Sequence, residues 1–226
     1  MKTILISGGG RGFGRVLAEQ FSKKYNVVIL VRDPEKAAQA AKEIGCDFVV
    51  ADVKNYEQVE RAVDLIISRY TSVDYLINNA GFWISGLLEE NNPSQIKEVI
   101  DTSLTGTIFL TRAVLPYMKK ARKGRVINVI SQAGLYGRAE RSVHHASKWA
   151  VTGFTKSLQV ELAGSGVTVS GFYPGSMKTR QFIDTTLKKN PSRFMEFSDA
   201  ARAVEFIVET PGDMNIPELG IKPAYY

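Results

Sequence analysis

The chain has 226 residues, 44% of them hydrophobic, one cysteine and a formal charge of +6. This length supports one sizeable core without requiring a second domain, and no apolar run reaches the ~20 residues that a membrane span needs. Cys46 alone excludes an internal disulfide, and residues 1–6 lack the pattern of a secretory leader, so the expected setting is a reducing cytoplasm.

The first element is a short strand, Thr3–Ser7, which breaks into Gly8-Gly-Gly-Arg-Gly-Phe-Gly14 before helix formers resume at Arg15–Phe21. Strand, tight turn and helix in that order suit phosphate binding, because glycines let the backbone N–H groups approach an anion at the positive end of a helix dipole. Gly8, Gly10, Arg11, Gly12, Phe13 and Gly14 are the candidate residues, and the alternative is a tight connection with no ligand. Further strands are predicted at Val27–Val31, Phe48–Ala51, Tyr75–Asn78, Arg125–Ile130, Thr168–Tyr173 and Leu219–Lys222. Helical periodicity fills Glu35–Ile44, Glu57–Tyr70, Ser94–Lys120, Val143–Leu162 and Ser198–Glu209. The densest basic run, Lys119–Arg125, closes one of these helices, where cations offset the dipole and stay solvated; it does not mark a nucleic-acid binder. The strand runs do not alternate, which implies burial on both faces. The expected fold is therefore a single-domain, doubly wound α/β fold of the Rossmann type, with a mostly parallel seven-stranded sheet and helices on both faces.

In such a sheet the ligand lies beyond the carboxyl ends of the strands. After the second strand, where an NAD site places an acid for the ribose hydroxyls, stands Arg32. With Arg11 it suits the 2′-phosphate of NADP, against the plainer reading of two solvated charges. Asp52, followed by Val53, is placed either to accept from the adenine amino group or to cap the next helix. Asn78-Asn79-Ala80-Gly81 is small and amide-rich, suited to bracing neighbouring strands and to letting a cofactor lie close.

Ser7-Gly8-x-x-x-Gly12-x-Gly14, Asp52-Val53, Asn78-Asn79-Ala80-Gly81, Ser131, Ala146-Ser147-Lys148 and Pro174-Gly175-x-x-x-Thr179 resemble, in order and spacing, the short-chain dehydrogenase/reductase family. The resemblance implies hydride transfer between NAD(P)H and a carbonyl or alcohol, with no metal, and the two arginines favour NADP. It also implies a homodimer or homotetramer packed through the helices around Thr102–Ala121 and Val143–Ala163, and a substrate lid over residues 177–197. On this pattern Ser131 steadies the substrate oxygen, and Lys148 binds the cofactor ribose and tunes a neighbouring tyrosine. Asn79, Ala80, Gly81, Pro174, Gly175 and Thr179 complete the cofactor site.

Two positions depart from the family. The tyrosine position, four residues before Lys148, is His144, and the asparagine position is Ser103. Serine still holds a water. Imidazole is shorter than a phenol and titrates near pH 6.5 rather than near 10, so it is a poor acid for carbonyl reduction while remaining a usable base for alcohol oxidation. His145 reads as a helix residue directed away from the site. Trp83, Ile84, Leu135, Tyr136, Tyr173, Met177, Phe182 and Phe194 suggest an apolar substrate, or simply packing. Two functions remain open: an NADP-dependent oxidoreductase with an altered proton donor, or an NADP-binding sensor or scaffold without catalysis.

Overall fold

β1 (Thr3–Ser7) explains why the apolar runs do not alternate. Its side chains do alternate, but into two separate cores: Leu5 enters one, Ile4 and Ile6 the other, all at 0% exposure. The structure, a computed structural model, describes residues 1–178, 194–212 and 214–224. Thr179, Phe182 and most of the expected lid lie outside the described residues.

The elements that follow are α1 (Gly12–Phe21), β2 (Asn26–Val31), α2 (Pro34–Ile44), β3 (Asp47–Val50), α3 (Tyr56–Tyr70), β4 (Tyr75–Asn78) and α4 (Pro93–Ile100). After these come α5 (Gly106–Ala121), β5 (Gly124–Val129), α6 (Ser142–Glu161), β6 (Val167–Pro174), α7 (Phe197–Glu209) and β7 (Glu218–Ile221). The seven strands form one sheet in the order β3-β2-β1-β4-β5-β6-β7, every neighbouring pair parallel. Helices α3, α5 and α6 cover one face and α1, α2 and α7 the other. Strand order reverses between β1 and β4, the switch point at which this architecture opens a crevice.

Local chemistry sets the helix ends. Asp33 caps α2 through the Lys36 N–H with Pro34 in the first turn, and Gly45 closes the helix at φ 75°. Asn55 and Asn92 cap α3 and α4 in the same way.

Two expectations change. The single helix predicted over Ser94–Lys120 is broken by a turn of π-helix at Asp101–Thr105, which separates α4 from α5 and carries Ser103. Arg125, read as part of a solvated basic run, is 4% exposed. It starts within β5, and its guanidinium donates to the carbonyls of Ile207, Thr210 (3.1 Å), Pro211 (3.2 Å) and Met214 (2.8 Å), and to Thr168 Oγ1 (3.0 Å). The dipole this cation offsets is therefore that of α7, far along the sequence from β5.

Candidate active site

The glycine turn is shaped by close approach. Gly8 (φ 67°) and Gly12 (φ 56°) take left-handed conformations, and a Cβ on Gly14 would lie 2.4 Å from both Gly8 O and Asn79 Nδ2. Asn79 Nδ2 donates to Ser7 O (3.1 Å) and Gly8 O (3.4 Å), while the N–H groups of Asn79 and Ala80 donate to Ser7 Oγ (3.0 Å each). The ends of β1 and β4 are thus joined across the switch point. α1 begins with no side-chain cap and no acidic residue in its first turn, leaving its first amides for an anion. The ring of Phe13 is not part of this surface: it is buried against Phe172 and Phe197.

Asn78 braces the sheet as expected. Its Nδ2 donates to Thr111 Oγ1 (2.9 Å) and Asn128 Oδ1 (2.8 Å), and Asn128 Nδ2 donates to Thr155 Oγ1 (2.8 Å), a buried polar ladder linking α5, β4, β5 and α6. Gly175 serves the far edge, where its N–H donates to Ile221 O (2.7 Å) directly after Pro174 closes β6.

Asp52 does not cap α3, since Asn55 does; its carboxylate accepts from the Lys54 N–H (3.0 Å) in the loop after β3. Val53 is buried, and a Cβ on Gly106 would lie 2.6 Å from it. Arg11 is exposed beside the glycine turn. Arg32, directly after β2, is already engaged: Nη1 lies 3.5 Å from Glu98 Oε1 and 3.9 Å from Asp52 Oδ2. Lys54 Nζ meets the same two carboxylates, at 2.5 Å and 3.7 Å. No periodicity or motif links Lys54 to Glu98 on α4, 44 residues later, and sequence reading missed both.

α6 carries His144 and Lys148 one turn apart on one face. Lys148 Nζ donates to Val129 O (3.1 Å), tying α6 to the end of β5, and burial pushes the amine down to about 8. A Cβ on Gly81 would meet Lys148 Nζ at 3.8 Å and Ser103 Oγ at 3.6 Å, so β4, the π turn and α6 converge on that glycine. Ser103 Oγ, Thr102 Oγ1 and His144 Nδ1 are buried atoms without a hydrogen-bond partner among the described residues. Ser131, two residues after β5, has φ 140°, a strained value for a residue with a Cβ, and its Oγ accepts from the Ala133 N–H (3.1 Å).

The His144 ring stands edge-on to Trp83 at 6.4 Å, and the Arg141 guanidinium lies 5.5 Å over that indole. Burial first, then the charges of Lys148, His145 and Arg141, push the imidazole down to about 3. His145 accompanies it at 6.0 Å and bonds instead to the Tyr136 carbonyl. Of the aromatic groups expected near a cleft, Tyr173 is a core residue: it is 1% exposed and its hydroxyl donates to Glu218 (2.9 Å). Ile84, Leu135 and Met177 also serve packing.

The chain as a whole is similar to known proteins. A family model described as short chain dehydrogenase matches residues 2–190. A 3-ketodihydrosphingosine reductase of Bacteroides thetaiotaomicron is 35% identical over 78% of this chain, which spans 64% of that relative's length. A 3-oxoacyl-[acyl-carrier-protein] reductase of Bos taurus is 32% identical over 93% of this chain and 92% of its own. Among solved structures, the closed form of a serine dehydrogenase complexed with NADP+ superposes with a TM-score of 0.90 at 26% identity, covering 99% of this chain and 96% of that one.

Proposed function

The chain belongs to the short-chain dehydrogenase family, and from that premise we propose that it is an NADP(H)-dependent oxidoreductase for a small carbonyl or alcohol, with His144 at the proton-transfer position. The observation that carries this reading is the convergence of Lys148, Ser103 and Gly81, with His144 one turn from Lys148 and its Nδ1 buried without a hydrogen-bond partner among the described residues.

The residues present suit the dinucleotide. Gly8, Gly10, Gly12 and Gly14 with the first turn of α1 would take its pyrophosphate; Arg11 and Arg32 the 2′-phosphate; and Asp52 and Val53 the adenine. Asn79, Ala80, Gly81, Lys148, Pro174 and Gly175 would border the nicotinamide end, and Thr179 belongs to the same assignment. The cofactor supplies or accepts the hydride.

The chain's own groups handle the oxygen and its proton. Ser131 Oγ donates to the substrate oxygen. The neutral His144 imidazole takes the proton of an alcohol, and the ammonium of Lys148 opposes the imidazolium that forms. That opposition, with burial, makes both directions slow, and carbonyl reduction slowest, because at neutral pH the imidazole has no ready proton to give. The same observation supports a second reading, an NADP-binding sensor or scaffold without turnover. Trp149 and Val160, exposed on α6, support assembly into a homodimer or homotetramer through that helix.

His144→Tyr restores a phenol of suitable reach. Carbonyl reduction should rise by about 10²–10⁴-fold with little change in NADP affinity. The measurement is steady-state NADPH oxidation on aldehydes, ketones and quinones, beside a cofactor titration. A folded, NADP-binding tyrosine variant that stays inert on the panel overturns the enzyme reading in favour of the sensor.

A further inference from the structure

The acid that NAD sites place after their second strand is missing at Arg32, yet a carboxylate reaches that position from another element. Glu98 Oε1 lies 3.5 Å from Arg32 Nη1, and Glu98 Oε2 lies 2.5 Å from Lys54 Nζ. Asp52 Oδ2 closes the group at 3.9 Å from Arg32 and 3.7 Å from Lys54. Two cations and two carboxylates therefore alternate around one point beyond the ends of β2 and β3, with α4 supplying Glu98. We propose that Glu98 is a specificity-determining residue that narrows the preference for NADP over NAD by competing with the 2′-phosphate for Arg32. This rests on the NADP reading above.

The competition follows from charge and tether. A phosphate monoester brings about −1.5 to −2 charges, and to bind it Arg32 must leave Glu98. The carboxylate does not retreat, because its second oxygen is held by Lys54, so it stays as a like charge beside the phosphate. An unphosphorylated ribose meets no such repulsion, and its hydroxyls can donate to the same carboxylate. Lys54 limits the penalty by neutralising Glu98 from the far side. Arg32, whose side chain is 66% exposed, has open space in which to turn from one partner to the other.

Glu98→Gln keeps the shape and removes the charge. Titrated with NADP+ and NAD+, this variant should show the ratio of the two dissociation constants moving about tenfold further toward NADP+, mainly through tighter NADP+ binding. In an Arg32→Ala background Glu98→Gln should have a clearly smaller effect, because the competition for Arg32 is gone and only the direct repulsion remains. An unchanged ratio in Glu98→Gln, or equal tightening of both cofactors, overturns the proposal while leaving the NADP reading intact. If the unmodified protein binds neither dinucleotide, the NADP reading falls and this one with it.

Discussion

His144 shows what a local environment does to a familiar side chain. Its ring stands edge-on to Trp83, its Nδ1 is buried without a hydrogen-bond partner among the described residues, and burial with the nearby Lys148 holds its pKa at about 3 against an ordinary 6.5. In the unfolded chain the same imidazole takes up a proton near pH 6.5, so between these values the unfolded state binds more protons and stability falls as pH falls. His144→Gln removes that uptake. Between about pH 7 and about pH 4 its melting temperature should therefore drop less than that of the unmodified protein; superimposable drops in thermal melts would mean that the folded imidazole titrates normally. The same shift moves the acid limb of any alcohol oxidation well below neutrality, because the base stays unprotonated until pH approaches about 3.

At the scale of elements, the β1–α1 connection is specified by what a methyl group would strike. Gly14 has backbone on one side and the Asn79 amide on the other, at 2.4 Å, and Gly8 O cannot move without breaking the join between β1 and β4. Gly12 faces open space, and its only demand is the positive φ. Gly14→Ala should therefore destabilise by about 1–3 kcal/mol, as overpacking does, and weaken NADP binding by shifting the turn. Gly12→Ala should cost about 1–2 kcal/mol from its dihedral alone and leave the packing intact. Urea unfolding beside a cofactor titration separates the two. A Gly14→Ala protein that binds NADP as tightly as the parent would remove this turn from the cofactor site.

At the scale of the whole molecule, Arg125 is a tie between distant parts of the chain. From the start of β5 it reaches four carbonyls at and beyond the end of α7, and burial pulls the guanidinium below its ordinary pKa. A cation there satisfies carbonyls at the C-terminal end of α7 and offsets its dipole. Replacing it with leucine leaves those carbonyls without a donor, so Arg125→Leu should cost about 3–5 kcal/mol. Amide hydrogen exchange should show α7 losing protection first. Uniform loss across the sheet, or a change below about 1 kcal/mol, would mean that the tie is dispensable.

The sequence by itself determined the α/β alternation and the seven strands to within a residue or two, because these rest on short-range signals. Apolar runs mark strands, glycines mark forced turns, and the motifs recur at set spacings. On the resemblance it also marked His144 and Ser103 as departures from the family pattern. Only the tertiary structure decided matters that depend on residues far apart meeting in space. It broke the long helix at Asp101–Thr105 and buried Arg125 under α7. It placed Tyr173 in the core and set Glu98 against Arg32, 66 residues away. The burial of Arg125 and Tyr173 and the pairing of Glu98 with Arg32 are settled by desolvation or by charges meeting across the fold, and a side chain's solvent and distant partners are not written in its neighbours along the chain.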